Sequence, residues 1–273
     1  MEFLETLYRG FLFFAAISLV FIPLEYAWSP KKGFESRSQS NTKFSLIRWF
    51  RPEWFNDFAF FLGQMALFNS VTIYVLNAFF RLFDNAVFLA PLIQLPLAIK
   101  IILAIFFGDL LIYWGHRAQH RFSWLWRFHR VHHTAPHVDY LAAYREHPLD
   151  NIYTRGLETL PAVLLGLDLN LIAGFVTFRG LWALFIHSNV TIRLGWIEML
   201  LGSPHLHHWH HELHRRGLCN YANLSPLMDL LFGTYFNPPE RPREYGIEEI
   251  VRHGWFWQMV DPLWVGKKTT SAI

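Results

Sequence analysis

Eight histidines fall into three short clusters whose spacing suits metal binding. HRAQH places two histidines four residues apart, while HRVHH and HHWHH each place three at positions i, i+3 and i+4. The eight are His116, His120, His129, His132, His133, His207, His210 and His211. On an α-helix these spacings bring side chains onto one face, about 5–6 Å apart. Two imidazoles of one helix can therefore reach one metal ion, and a third can reach an adjacent ion.

The third cluster lies inside PHLHHWHHELHRR, which contains six histidines, so its register has to be chosen. Only one set of three satisfies the i, i+3, i+4 pattern: His207, His210 and His211. We therefore expect His205 and His208 on other faces of the helix, in contact with solvent or lipid headgroups. His214, at i+7 from the first of the three, shares their face and is a candidate ligand or supporting residue. Ser203 and Pro204 have the residue types of an N-cap and a first helical position.

The three clusters together supply enough ring nitrogens for two metal ions of about four or five ligands each, with room for dioxygen or water. A single cluster supplies two or three nitrogens, too few to hold two ions firmly. Imidazole suits iron, zinc and copper alike, so the ligand type alone does not choose the metal.

The composition indicates that the elements carrying these histidines lie in lipid. Charged residues make up 16% of the chain, whereas average soluble chains carry about 25%. Hydrophobic residues make up 53%, and the formal net charge of +3 is too small to indicate a nucleic-acid-binding surface. The single cysteine, Cys219, excludes an intrachain disulfide.

Four apolar segments are candidates for membrane insertion: residues 4–28, 58–80, 91–114 and 157–186. A bilayer core of about 30 Å needs roughly 20 such residues, so the first three are long enough to cross. The first begins with acidic residues and is long, which favours a retained helix over a signal peptide. The fourth is broken by DLN at residues 168–170 into halves of about 14 residues, too short to cross. We expect a re-entrant helical hairpin there, with two tilted helices that cross as the alternative.

Basic residues indicate which side of the membrane the histidines occupy. The connector 30–53 carries six basic residues against two acidic ones, and residues 115–130 carry four arginines and no acid. By the positive-inside rule both segments are cytoplasmic. The predicted fold is an all-α integral membrane protein with about three to four transmembrane or re-entrant segments and a cytoplasmic helical cap that carries the histidine boxes. We expect a transmembrane region over residues 1–100, a catalytic domain over 101–240 and a C-terminal tail over 241–273.

The three boxes, followed by NYANLSPLMDLLFGTY, resemble the fatty acid hydroxylase / sterol desaturase superfamily over roughly residues 103–236. The resemblance implies an integral membrane enzyme with a histidine-ligated di-iron centre that hydroxylates or desaturates lipid C–H bonds at the cytoplasmic face. It also implies a ligand role for His187, in HSNV. Some members have a second histidine four residues later, where this chain has Thr191, and His147 in REHPLD or Asn189 could fill that place. The family often has the sequence Asn-Tyr-Gly where this chain has Asn220, Tyr221 and Ala222.

Acidic residues near the boxes are candidates to orient the ligands. Ligating histidines usually donate their other N–H to a carboxylate or a carbonyl. Asp109 lies seven residues before His116, on the same helix face, and Asp229 lies in the family-like segment after the third box. We predict these two carboxylates as the hydrogen-bond partners of ligand histidines. Other acids near the boxes are Glu146, Asp150 and Glu212.

The leading functional hypothesis is a dioxygen-dependent di-iron oxidoreductase that hydroxylates a C–H bond of a lipid or sterol-like substrate. A lipid or sterol desaturase on the same metal site is the alternative. A histidine-rich metal transporter or metal-binding membrane protein belongs to another class, but a transporter should place its ligands within its spans. The resemblance implies two iron ions, for which zinc can substitute in purified samples.

The two electrons for turnover must come from outside this chain. The sequence has no G-x-G-x-x-G dinucleotide fingerprint and no haem or iron–sulfur ligand pattern. We therefore expect an external electron donor, either a reductase, a ferredoxin or a b-type cytochrome. The other expected partners are the membrane and a lipid substrate, with no nucleic acid.

Overall fold

Helices make up the fold, and the computed structural model describes it over residues 2–30, 51, 53–83, 90–215, 217–249, 251–252 and 254–264. The α-helices are α1 (Glu2–Trp28), α2 (Trp54–Gly63), α3 (Asn69–Phe80), α4 (Ala90–Ile93), α5 (Leu97–Arg121), α6 (Ser123–His133), α7 (Pro148–Leu164), α8 (Leu169–His187), α9 (Pro204–His210), α10 (Leu227–Phe232) and α11 (Trp255–Val260). A π-helical turn joins α2 to α3, so the two form one continuous segment. Among the described residues the only β pairing is an isolated bridge between Glu212 and Tyr245. The all-α prediction is confirmed.

Four helical segments are long and apolar enough to cross a membrane: Leu4–Trp28, Trp54–Phe83, Leu97–Arg121 and Leu169–His187. Large apolar side chains such as Leu19 and Tyr74 are exposed along them. Exposed apolar surface on long helices suits contact with lipid rather than with water. The helices therefore indicate a multi-pass membrane protein, as the composition predicted.

The break at DLN is confirmed, but the expected length of the segment after it was wrong. Helix α7 ends at Leu164, and α8 begins at Leu169. The Asp168 carboxylate accepts hydrogen bonds from the N–H groups of Asn170 and Leu171 and so caps the new helix. Because α8 starts at this cap and runs for 19 residues to His187, it is long enough to span the bilayer by itself.

Helices α5 and α7 lie side by side, and this packing forms one wall of the region around the histidines. Gly115 of α5 allows the close approach, since a Cβ atom there would lie 2.1 Å from Cδ1 of Leu157. The Tyr153 side chain lies against the same glycine and donates a long, 3.4 Å hydrogen bond to its carbonyl oxygen. A larger residue at position 115 would separate the two helices.

A buried network of charges ties the first two spans to the loop that follows the second histidine box. Asp57 of α2 is fully buried and accepts hydrogen bonds from Arg51 at 2.6 Å and from Arg145 at 2.6 Å. Arg51 also donates two hydrogen bonds of 2.8 Å to Asp139. Glu25, near the end of α1, accepts from the backbone N–H of Tyr140 at 2.9 Å. The loop 139–145 is therefore held by partners from both spans.

Replacing Asp57 with Ala leaves two buried arginines without their shared carboxylate, and this should lower the free energy of unfolding by about 3–5 kcal/mol. The Arg9→Gln variant is the control, because it removes an exposed ion pair with Glu5 that is worth about 0–1 kcal/mol. Denaturant unfolding in detergent micelles measures both. Superimposable curves for the two variants would contradict a structural role for the network.

Candidate metal centre

Nine histidines form two adjoining groups where α5, α6, α8 and α9 meet. The five-histidine group consists of His116, His120, His129, His133 and His210, and the four-histidine group consists of His132, His187, His207 and His211. Within each group the candidate ligand atoms all lie within 4.8 Å of one another. Seven of the nine side chains are buried, and the other two are partly buried. The structure thus brings all eight box histidines together and adds His187, which the family resemblance had implied.

The boxes distribute their histidines between the two groups in complementary ways. Both histidines of α5 lie in the five-histidine group. Helix α6 contributes the pair His129 and His133 to that group and His132 to the other. The third box does the reverse, since His207 and His211 lie in the four-histidine group and His210 in the other. Each i, i+4 pair therefore faces one group while the i+3 histidine faces its neighbour, as the spacing predicted.

The local sequence explains the start of α9. The Ser203 hydroxyl accepts a hydrogen bond from the N–H of Leu206 at 3.3 Å, and Pro204 is the first residue of the helix. Both roles were predicted from the sequence. The helix ends at His210, so His211 lies at its C-cap and still points into the four-histidine group.

Backbone carbonyl groups orient four of the nine rings through their Nδ1 atoms. His116 donates to Tyr221 O at 2.7 Å, and His210 donates to Cys219 O at 2.8 Å. The other two such bonds, at 3.2 and 2.7 Å, join His132 to Arg145 O and His187 to Ala183 O. A carbonyl can only accept, so each of these rings carries its proton on Nδ1. Their Nε2 atoms are left with a lone pair that faces the interior of the site.

Two Nε2 atoms lie so close together that a cation is needed between them. The Nε2 atoms of His132 and His187 are 3.0 Å apart, although both rings carry their protons on Nδ1. Two lone pairs at this distance repel each other, and neither ring has a hydrogen atom to bridge them. The Nε2 atom of His207 lies 2.9 Å from that of His187. A metal ion would turn the repulsive contact into ligation, so the donor set fits a metal centre.

Burial keeps the ligand rings in the neutral form that metal binding requires. Loss of solvent, reinforced by neighbouring imidazoles, lowers the pKa of six rings well below the usual value of 6.5: His129, His132, His133, His207, His210 and His211. Buried ring nitrogens of the two groups that have no hydrogen-bond partner among the described residues include His133 Nε2, His207 Nδ1, His210 Nε2 and His211 Nδ1. Buried polar atoms rarely lack a partner in folded proteins. Metal ions would supply it here.

The carboxylate that touches a ligand ring is Asp150, which the sequence reasoning noted but did not choose. Its Oδ2 atom lies 3.0 Å from Nδ1 of His129, and its Oδ1 accepts from Gln119 at 2.6 Å. Burial raises the pKa of Asp150 to about 8. The predicted partner Asp109 pairs instead with Arg179 of α8. The N-terminal end of α7 approaches α6 only in the folded chain, so no local spacing could reveal the contact of Asp150.

The other predicted carboxylate, Asp229, acts on the loop whose carbonyl groups hold two ligands. Its oxygens accept from the N–H groups of Tyr221 at 2.8 Å and Ala222 at 2.9 Å, and from the Thr234 hydroxyl at 2.7 Å. Asn220, at a positive φ of 52°, pins the same loop by donating to Leu206 O at 2.9 Å. Asp229 therefore supports His116 and His210 indirectly, by holding the backbone whose carbonyl groups bond to their rings.

The other described histidines lie outside both groups. His147 caps α7: its Nδ1 accepts from the N–H of Leu149, and its Nε2 bonds to Met259 O. The structure therefore does not bring this predicted ligand to the site. His214 is 63% exposed, within 3.5 Å of Glu244 and Glu248. The Asn189 side chain accepts from Arg241, and His253 lies outside the described residues.

The expectation that His205 and His208 lie at the surface was wrong, because both are buried. The His205 ring bonds to Pro238 O at 2.8 Å. The His208 ring donates to His187 O at 3.1 Å and also contacts the Tyr245 hydroxyl at 3.0 Å. These faces of α9 pack against the chain that follows the third box instead of meeting solvent.

Comparison with known proteins agrees with this geometry. The model of the fatty acid hydroxylase family matches residues 101–234, which include all nine histidines. This segment belongs to the fatty acid hydroxylase family. No solved structure matches the chain.

Three curated relatives have names that describe oxidoreductases of lipids. The ornithine lipid hydroxylase OlsE of Rhizobium tropici is 31% identical over 190 residues, 66% of this chain and 57% of the relative. Human (Homo sapiens) alkylglycerol monooxygenase is 32% identical over 124 residues, 45% of this chain and 27% of the relative. The Delta(7)-sterol 5(6)-desaturase ERG3B of Gibberella zeae is 30% identical over 156 residues, 57% of this chain and 47% of the relative. The matches thus span between 27% and 57% of these relatives' lengths.

Replacing Gly217 with Ala should displace His120 and weaken metal binding in the five-histidine group, because the new Cβ would lie 2.2 Å from Cε1 of that ring. Gly195→Ala is a matched control: its φ of +61° resembles the +69° of Gly217, yet a Cβ there meets nothing within 4 Å. Both variants carry the same backbone strain. Metal content by plasma mass spectrometry should fall in the first variant alone, and equal loss in both would contradict the steric argument.

The Asp150→Ala variant should weaken metal binding about 10–100-fold, the usual effect of removing a carboxylate that orients a ligand histidine. Asp168→Ala is the control, since it removes a helix cap that touches no histidine and costs only about 0.5–2 kcal/mol of stability. Competition with a metallochromic chelator measures the affinity. Unchanged affinity in the first variant would show that Asp150 does not orient His129.

Proposed function

We propose that this protein is a membrane-bound, dioxygen-dependent di-iron oxidoreductase that hydroxylates a C–H bond of a lipid. The observation that carries the proposal is the pair of adjoining histidine groups with inward-facing lone pairs. Membership of the matched segment in the fatty acid hydroxylase family supports iron as the metal. The hydroxylase and monooxygenase among the relatives support oxygen insertion as the reaction.

The chain's own residues would prepare the site for this chemistry. The five-histidine group would hold one iron ion and the four-histidine group the other, and the carbonyl groups of Arg145, Ala183, Cys219 and Tyr221 would fix four of the rings before the metal arrives. When bound, two ferrous ions would supply the electrons and open positions needed to activate dioxygen against an unactivated C–H bond. Burial of the rings excludes bulk water, which would otherwise intercept a strong oxidant.

Desaturation of a lipid or sterol is the second candidate, favoured by the 30% identity to a sterol desaturase. Both reactions begin with removal of hydrogen from carbon and use the same ligand set. The metal-transporter hypothesis is weaker, because a transporter needs ligands at membrane depth. Here His116 and His120 lie in the last two turns of their span, and His187 is the final residue of α8.

The proposed function includes two partners outside the chain. We propose that the end of the helices that carries the histidines faces the cytoplasm, as the basic residues of the sequence indicate. An external reductase, ferredoxin or b-type cytochrome would deliver the electrons there, and a membrane lipid would be the substrate.

Single-turnover oxidation tests the proposal directly. The full chain, loaded anaerobically with ferrous iron in lipid nanodiscs prepared from a total membrane lipid extract, is reduced with dithionite and then exposed to dioxygen. Mass spectrometry of the lipids should show a gain of one oxygen atom, whereas a loss of two hydrogen atoms would favour the desaturase. If iron is fully bound and no oxidised lipid forms with any donor, the oxidoreductase proposal is wrong.

Removal of single ligands should empty the two groups separately. His210→Ala should release the ion of the five-histidine group and His132→Ala that of the four-histidine group, so each should lose about one of two ions. His205→Ala is the control, because this histidine is also buried in α9 but belongs to neither group. Iron content per chain measures the result, and full iron content in either ligand variant would contradict the assignment.

A further inference from the structure

A cavity adjoins both histidine groups and continues between α5, α7 and α8. On α8 its lining runs from His187 through Ala183 to Arg179, which lies eight residues, or about 12 Å, along the helix axis. On α7 the lining spans the same length, from Asp150 near the histidines to Glu158. The cavity therefore has one end at the candidate metal centre and another about two helical turns away.

The cavity has a polar wall along α7, although α5 and α8 on its other sides are apolar enough to span a membrane. Six residues of α7 line the cavity: Asp150, Tyr153, Thr154, Arg155, Leu157 and Glu158. Only Leu157 among them is apolar. Pockets for small molecules are lined mainly by apolar side chains, with a few polar groups that fix orientation. A cavity shaped only for a hydrocarbon chain would not need this polar face.

The far end of the cavity contains a buried cluster of two arginines and two carboxylates. Arg179 pairs with Asp109 of α5, and Arg155 pairs with Glu158 at 2.5 Å. Because two positive side chains meet two negative ones, the cluster has no net charge. Asp109 and Arg179 lie on the candidate membrane spans α5 and α8. Ionisable groups inside membrane-spanning helices are costly and usually mark a functional pathway or binding site.

This cluster leaves hydrogen-bonding atoms unsatisfied at the cavity. Arg179 is 3% exposed and Glu158 is 1% exposed. Among the described residues, Nη1 and Nε of Arg179 and Oε1 of Glu158 have no hydrogen-bond partner, and Nε and Oε1 form a long ion pair at 3.8 Å. The far end therefore presents a buried donor and a buried acceptor side by side.

We propose that this cavity binds an uncharged hydrogen-bonding group of the substrate, a hydroxyl or an amide, at Arg179 and Glu158, with the C–H bond to be oxidised at the histidine end. The inference rests on the proposed function and narrows its substrate class. A hydroxyl can accept from Arg179 and donate to Glu158 at once. A free carboxylate would meet the negative charge of Glu158, and a plain hydrocarbon would leave both groups unsatisfied.

Ligand competition tests this selectivity without any oxidation step. The probe is tritiated 1-O-hexadecylglycerol, which carries two hydroxyl groups, bound to the full chain loaded with zinc in nanodiscs. Unlabelled 1-O-hexadecylglycerol should displace it at least about tenfold better than palmitate or hexadecane, the difference expected for one hydrogen bond to a charged group. Equal displacement by all three would overturn the proposal, whereas the lipid-oxidation experiment would be unaffected by that result.

Two variants assign the selectivity to the cavity. The double variant Asp109→Asn/Arg179→Gln removes one charge pair without changing the net charge, and it should bind the probe about tenfold more weakly. Thr154→Val removes a hydroxyl from the cavity face of α7 while keeping its shape, and it should weaken binding by a smaller factor. Thr159→Val is the matched control, because this buried threonine of α7 bonds to Arg155 O and does not line the cavity.

Zinc content and unfolding curves show whether each variant keeps its fold. If the double variant fails to bind zinc, the comparison of probe affinity between Thr154→Val and Thr159→Val tests the proposal without it. Probe affinity that is unchanged in Thr154→Val and in a folded double variant would overturn the proposal. Equal weakening in the two threonine variants would do the same, because it would show a general effect of altered helix packing.

Discussion

Lone pairs of neutral imidazoles repel one another, and this protein places the Nε2 lone pairs of His132 and His187 3.0 Å apart in a buried space. Three further pairs of histidine Nε2 atoms lie 2.9–3.1 Å apart beside them. Such an arrangement does not assemble by itself, because each ring would rotate away from its neighbour. The rings are held instead by carbonyl oxygens and a carboxylate from separate parts of the chain: Arg145, Asp150, Ala183, Cys219 and Tyr221. Much of the fold can be understood as the means of keeping those acceptors in place.

Three of these acceptors are held in place by identifiable local contacts. The loop that carries Arg145 is fixed by buried ion pairs to α2, and Asp229 binds the backbone of the loop that contains Tyr221. Asp150 lies in the first turn of a helix that packs closely on α5 through Gly115. The spans therefore do more than anchor the protein in lipid, since α1 and α2 also hold the loop behind His132.

Local features of the site were predictable from the sequence, and contacts between distant elements were not. The i, i+3, i+4 spacing located the ligand faces because helix geometry fixes it, and Ser203 and Pro204 gave the start of α9. The support of His129 by Asp150 joins two helices, and the burial of His208 depends on Tyr245, so neither left a periodic signal. The break at residues 168–170 was visible, but only the cap at Asp168 shows that a full-length helix starts there.

Helix α6 and the third box divide their histidines between the two groups in opposite ways, and this has a mechanical consequence. Each of these segments sends two rings to one group and one ring to the other, so the two groups share α6 and the third box. A small rotation of α6 that brought His132 deeper into its group would draw His129 and His133 out of theirs. The positions of the two histidine groups are therefore mechanically coupled, and the distance between the groups is set by the radius and pitch of a helix.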